Sequence, residues 1–189
     1  VRRQRQMCIR DRLRVLLFTA VQSVEIALRS KIIHHLSMKY GAFWFMDEQL
    51  SDNQTLFNEN LSHIGKELKR SKEDFINEHF AKYTSPQFPP VWKTLEVVSF
   101  GTLSKLLENF NDRHVKKIIA REFNLPQHLY LESWIKCIAV LRNCIAHHSR
   151  IWNRKFPLKP QLPLKLKGMW VDCSGIERTR LYSQLCCLA

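Results

Sequence analysis

An arginine and a histidine five residues apart, held by one helix, can do chemistry on RNA without a metal. The segment Arg142-Asn-Cys-Ile-Ala-His-His-Ser-Arg150 offers such a pair. The ribose 2′-OH attacks its neighbouring phosphate once one group takes its proton and another steadies the developing negative charge. Histidine exchanges protons near neutral pH. Arginine keeps its charge and presents paired donors to phosphate oxygens. Arg142 is therefore the candidate phosphate binder, His147 the candidate proton carrier, and Asn143 a side chain able to position imidazole or backbone. Taken alone, this spacing is common.

The helix that must hold them runs from about His128 to Ser149, a stretch with no breaker. With Arg142 at zero, Ala146, Arg150, Asn143 and His147 fall at roughly 40°, 80°, 100° and 140° around it. His148 falls near 240°, among the apolar Leu131, Trp134, Cys137, Ile138, Leu141, Cys144 and Ile145. The polar stripe is thus expected to face away from the core, and His147 is preferred to His148. Ala139 and Ala146 are small residues on the same stripe, which predicts close approach of a second helix and a composite site between protomers.

Elsewhere the pattern is helical. The chain has 5 Gly and 7 Pro in 189 residues, too few for the many turns of an all-β chain. Asp11 to Tyr40 reads as one helix with apolar positions Leu17, Val21, Val24, Leu28 and Ile32, stopped by Gly41. Phe43, Trp44 and Phe45 are expected to cap the core. Residues 51–82 read as a helix capped by Ser51 or Asp52. Pro86, Pro89 and Pro90 mark a connector. Residues 91–110 read as helix with a break at Ser99-Phe-Gly-Thr102, and Asn111-Asp112 can cap a short helix to about Phe123.

Residues 150–170 hold Arg150, Arg154, Lys155, Lys159, Lys165 and Lys167 with no acidic residue, either a surface for phosphates or a solvated connector. Trp92, Trp134 and Trp152 read as packing groups, with base stacking the other reading of Trp152. Glu25 and Arg29 have ion-pair spacing on a helix surface. His34-His35 make poor metal ligands, since adjacent side chains on a helix point about 100° apart, and no metal or cofactor is expected.

The formal charge of +13 favours nucleic acid as partner, because Lys and Arg displace condensed counterions. Residues 1–10 are expected to be a non-native leader: Met7 to Asp11 back-translates to ATG TGT ATA AGA GAC, a transposon end used in sequencing libraries. Removing residues 1–12 takes away five Arg and one Asp and still leaves +9. Six cysteines show no C-x-x-C pair, so ordinary reduced thiols are expected. With no secretory signal and no membrane-crossing run, the expected location is cytoplasmic.

Arg142 to Arg150 resembles the R-N-x-x-A-H-H core of the Abi-like (abortive infection) family, whose R-x4-6-H signature belongs to HEPN ribonucleases. Asp11-Arg-Leu-Arg14 with Val24-Glu-Ile-Ala-Leu-Arg29 resembles the family's early helix. Trp92-Lys-Thr-Leu-Glu96 with Ser99-Phe-Gly-Thr-Leu-Ser-Lys105 resembles its middle segment, and Leu181 to Leu188 a later helix. The resemblance implies an all-α, HEPN-like helical bundle, bacterial and usually homodimeric, acting as a metal-independent endoribonuclease in anti-phage defence. An antitoxin or small RNA is a possible further partner. It implies catalytic Arg142, Asn143 and His147, and raises a Glu25 that orients the Arg142 guanidinium; Arg29 and His148 are further supporting candidates, and Arg150, Arg154 and Lys155 of the basic segment are the candidate RNA contacts. Residues 11–189 are expected to be one such domain, cut at both ends. Other function classes are a noncatalytic RNA-binding module and a purely structural dimerisation domain.

Overall fold

The first helix, α1 (Arg2–Tyr40), stops at Gly41, whose φ of +83° suits a residue without a β-carbon. In this computed structural model, residues 2–163, 166 and 171–188 are described, with side chains from residue 9 onward. They form eight α-helices and no sheet, an all-α fold. After α1 come α2 (Gln54–Arg70), α3 (Asp74–Lys82), α4 (Val91–Val97), α5 (Phe100–Asn109), α6 (Arg113–Glu122), α7 (His128–Ala146) and α8 (Leu181–Leu185). No helix among the described residues is long and apolar enough to cross a membrane.

The chain divides into two units, one of Leu28–Ile119 and the other of Val1–Ala27 with Ala120–Ala189. In the first, α2 packs on α4 and α5 over a core that includes Ile64, Leu68, Leu95, Leu103 and Leu107. Trp44 and Phe45 are buried as expected, while Phe43 stays exposed. The pattern over 51–82 is two helices rather than one, because Ser71 is extended (ψ 137°) and α3 restarts at Asp74. Asn53, not Ser51 or Asp52, caps α2, its side chain accepting from the Leu56 amide at 3.0 Å. The break at Ser99 is real: α4 ends at Val97, and Ser99 caps α5. Glu67 locks this junction, accepting from the Ser99 amide at 2.8 Å and the Thr102 hydroxyl at 2.9 Å.

Asp112 accepts from the amides of His114 and Val115, and from Lys39 and Tyr40. Burial alone would raise its carboxyl, but these donors outweigh burial and hold it well below the ordinary carboxylate range. Trp92, expected in the core, is half exposed on the surface of α4.

In the second unit, α1 buries Leu17 and Val21, and α7 buries Leu131, Trp134, Ile135, Ile138, Leu141 and Ile145. The segment after α7 is tied back to it. Trp134 donates its indole N–H to the Gln161 carbonyl at 2.6 Å, and Ser133 accepts from the Gln161 amide at 2.9 Å. α8 then packs on α7. Cys137, Cys144, Cys173, Cys186 and Cys187 are free thiols. Burial pushes Cys137 up to about 11 and Cys186 up to about 12, so these thiols stay protonated and poorly nucleophilic near neutral pH.

Candidate active site

Arg142 sits in the last turns of α7, half-buried, and its Nε lies 3.9 Å from Oε2 of Glu25 on α1. Glu25 is the more enclosed partner, its side chain 16% exposed against 36% for Arg142. The separation is too long for a hydrogen bond and short enough for an ion pair. The Glu25 carboxylate thus holds the stem side of the guanidinium. Two tips on the far side of the fork are the part suited to phosphate. Asn143 and His147 are exposed on the same helix end.

α7 stops at Ala146, three residues short of the helix read from the sequence. His147 is the C-cap, and its amide still donates to the Asn143 carbonyl at 3.0 Å, so it keeps its helical bearing. His148 does not. Its φ is +52°, its amide donates to the Ile145 carbonyl at 3.1 Å, and the Ser149 amide donates to the Cys144 carbonyl at 2.9 Å. This pair of bonds is a Schellman motif, with His148 in the left-handed place usually taken by glycine. Two expectations are corrected here. His148 is exposed rather than turned to the apolar side, and Arg150, lying beyond the helix end, does not share the Arg142 stripe. Ala139, expected on the open stripe, is buried, whereas Ala146 is exposed.

Arg14 was not among the candidate site residues. Its Nη2 donates to the carbonyls of His148 at 2.8 Å and Ser149 at 3.0 Å, and Nη1 lies 3.4 Å from Asp11. A guanidinium from α1 thus pins the turn that carries both histidines. Arg29 donates to the Val98 carbonyl at 3.2 Å within the other unit.

Past the turn, Arg150 and Lys155 are exposed and Arg154 is half-buried. Arg150 donates from Nε to the Trp152 carbonyl at 3.0 Å, and the Arg154 guanidinium stands 6.0 Å from the Phe156 ring centre. Trp152, read as a packing group, is 64% exposed; Trp134 is buried as expected. Lys165 and Lys167 lie outside the described residues. No group of three or more candidate metal ligands occurs among the described residues.

Residues 5–153 match the family model described as Abi-like protein. Comparison with curated proteins and with solved structures gave no match.

Proposed function

We propose, since the chain belongs to the Abi-like protein family, that it is an RNA-cleaving effector of a bacterial abortive-infection or toxin–antitoxin system, working without a metal. The supporting observation is the end of α7, where Arg142 is backed by the Glu25 carboxylate while His147, still in helical register, is exposed.

In this reading Arg142 grips the phosphate and offsets charge as it builds on the non-bridging oxygens. His147 takes the 2′-OH proton as the 2′-oxygen–phosphorus bond forms. The bond from phosphorus to the 5′-oxygen breaks, and that oxygen leaves with the proton returned by the imidazolium. The products are a 2′,3′-cyclic phosphate and a 5′-hydroxyl. Asn143 positions the pair, and Glu25 keeps the guanidinium aligned. A homodimer, as in the HEPN ribonucleases that the sequence resembles, would bring two such stripes together.

The test is cleavage of labelled single-stranded RNA by the full chain in EDTA, with the ends of the products identified. Cyclic phosphate ends are expected in chelator. Arg142→Ala and His147→Ala should each slow cleavage by roughly 10²- to 10⁴-fold while the helical circular dichroism is unchanged. Variants as fast as wild type would reject these roles, and activity lost in EDTA and restored by one metal would reject the metal-free route. The exposed cations past α7 favour a second reading, an RNA-binding module without chemistry, which predicts salt-dependent affinity and no cleavage.

A further inference from the structure

The turn that ends α7 borders a cleft of about 260 Å³. Arg10, Leu13 and Arg14 of α1 line one side, and His148, Arg150 and Trp152 line the other. Trp152, Arg10 and Leu13 also border an adjoining hollow of about 380 Å³. Among the described residues, no carboxylate lines either. An indole left 64% exposed among cations is the unusual feature, because a large aromatic surface normally finds cover.

The parts of this cleft are held in place. Arg14 fixes the turn through the carbonyls of His148 and Ser149, and Arg150 is anchored by its Nε on the backbone carbonyl of Trp152 itself. That anchor ties the guanidinium to the Trp152 backbone at the cleft and leaves the two terminal nitrogens of Arg150 to meet a ligand. The cleft alone falls just under the roughly 300–1,000 Å³ of sites for drug-sized molecules and lies within that range once the adjoining hollow is counted, room for a base with its sugar and phosphate.

The chemistry selects among occupants. An apolar side chain from a second copy would cover Trp152 but would strip water from Arg150 with no counter-charge to replace it. A nucleotide satisfies both, its base stacking on the indole and its phosphate meeting the guanidinium. Resting on the reading that RNA is the ligand of the Arg142 face, we propose that this cleft receives one unpaired nucleotide of the strand beside the linkage to be cut. Its base lies on Trp152 and its phosphate against Arg150. The same turn carries His148, which lines the cleft, and His147, so in this proposal the strand runs from one to the other.

The experiment titrates the full chain with a fluorescein-labelled single strand of ten 2′-O-methyl ribonucleotides, which lacks the free 2′-OH needed for cleavage. Trp152→Ala should weaken binding by roughly 5- to 150-fold, the usual range for a lost base–aromatic stack. Trp152→Phe should stay within about threefold, since a ring still serves. Arg150→Ala should weaken binding and flatten its salt dependence by about 0.7 in log–log slope. A strand of abasic sugars should bind wild type and Trp152→Ala alike.

Unchanged affinity of Trp152→Ala would overturn the proposal, as would an equal deficit on intact and abasic strands. So would a change of oligomeric state in Trp152→Ala with affinity intact, which would assign the cleft to contact between copies. Trp152-dependent binding without any RNA cleavage would uphold this site and sink the nuclease reading. Cleavage that ignores Trp152 alongside unchanged binding would do the reverse, and no binding by wild type would sink this site outright.

Discussion

At Arg142 the arrangement separates two jobs of one side chain. Its Nε is buried without a hydrogen bond, and the nearby Glu25 carboxylate supplies charge at 3.9 Å rather than a directed bond. Such an ion pair aligns a guanidinium while leaving its tips for phosphate. Glu25→Gln keeps the shape and removes the charge, so cleavage should fall about tenfold in kcat with KM little changed, the size of one charged interaction of about 1.4 kcal/mol. A variant with wild-type kcat would reduce Glu25 to a structural neighbour. That Glu25 meets Arg142 was suggested by the family resemblance and not by periodicity, which offers only the ion-pair spacing of Glu25 and Arg29. The part played by Arg14 was not legible, because it binds the carbonyls of His148 and Ser149, and backbone acceptors leave no trace in residue type.

The end of α7 shows the same limit one level up. With neither Gly nor Pro between Pro126 and Pro157, nothing in the sequence stops the helix at Ala146, and periodicity extends to Ser149. What stops it is a Schellman motif built on a left-handed histidine, helped by a guanidinium from α1. A left-handed non-glycine residue costs about 1–2 kcal/mol, partly offset by the lower chain entropy of histidine in the unfolded state. His148→Gly should therefore raise stability by up to about 1 kcal/mol in urea unfolding and leave cleavage at the wild-type rate. Loss of cleavage would move the proton from His147 to His148. Arg14→Met should act in the opposite sense, lowering stability by about 1–2 kcal/mol through two lost carbonyl partners. An unchanged urea midpoint would mean that the turn holds without Arg14.

For the whole molecule, the all-α class was legible from the scarcity of Gly and Pro, whereas the division after Ala27 and Ile119 was not, because both points fall inside helices. That division sorts the charge. Leu28–Ile119 holds 13 Lys and Arg against 11 Asp and Glu, a net +2, so +11 of the total +13 belongs to the unit with Arg142 and His147, +4 of it from the arginines of residues 1–10. A net positive charge draws RNA at long range, but only cations that touch phosphates release counterions and steepen the salt dependence. If Arg142, Arg150, Arg154 and Lys155 each meet one phosphate of a single strand, log affinity should fall against log salt with a slope of about −3. Replacing Arg150, Arg154 and Lys155 together by Gln should flatten that slope by about 2. Replacing the exposed Lys66, Lys69 and Arg70 of α2 by Gln removes the same three charges from the other unit and should leave the slope where it was. Equal flattening by the two triple variants, measured by fluorescence anisotropy between 50 and 300 mM salt (roughly the range over which such slopes are read), would show that net charge rather than this surface gathers the RNA.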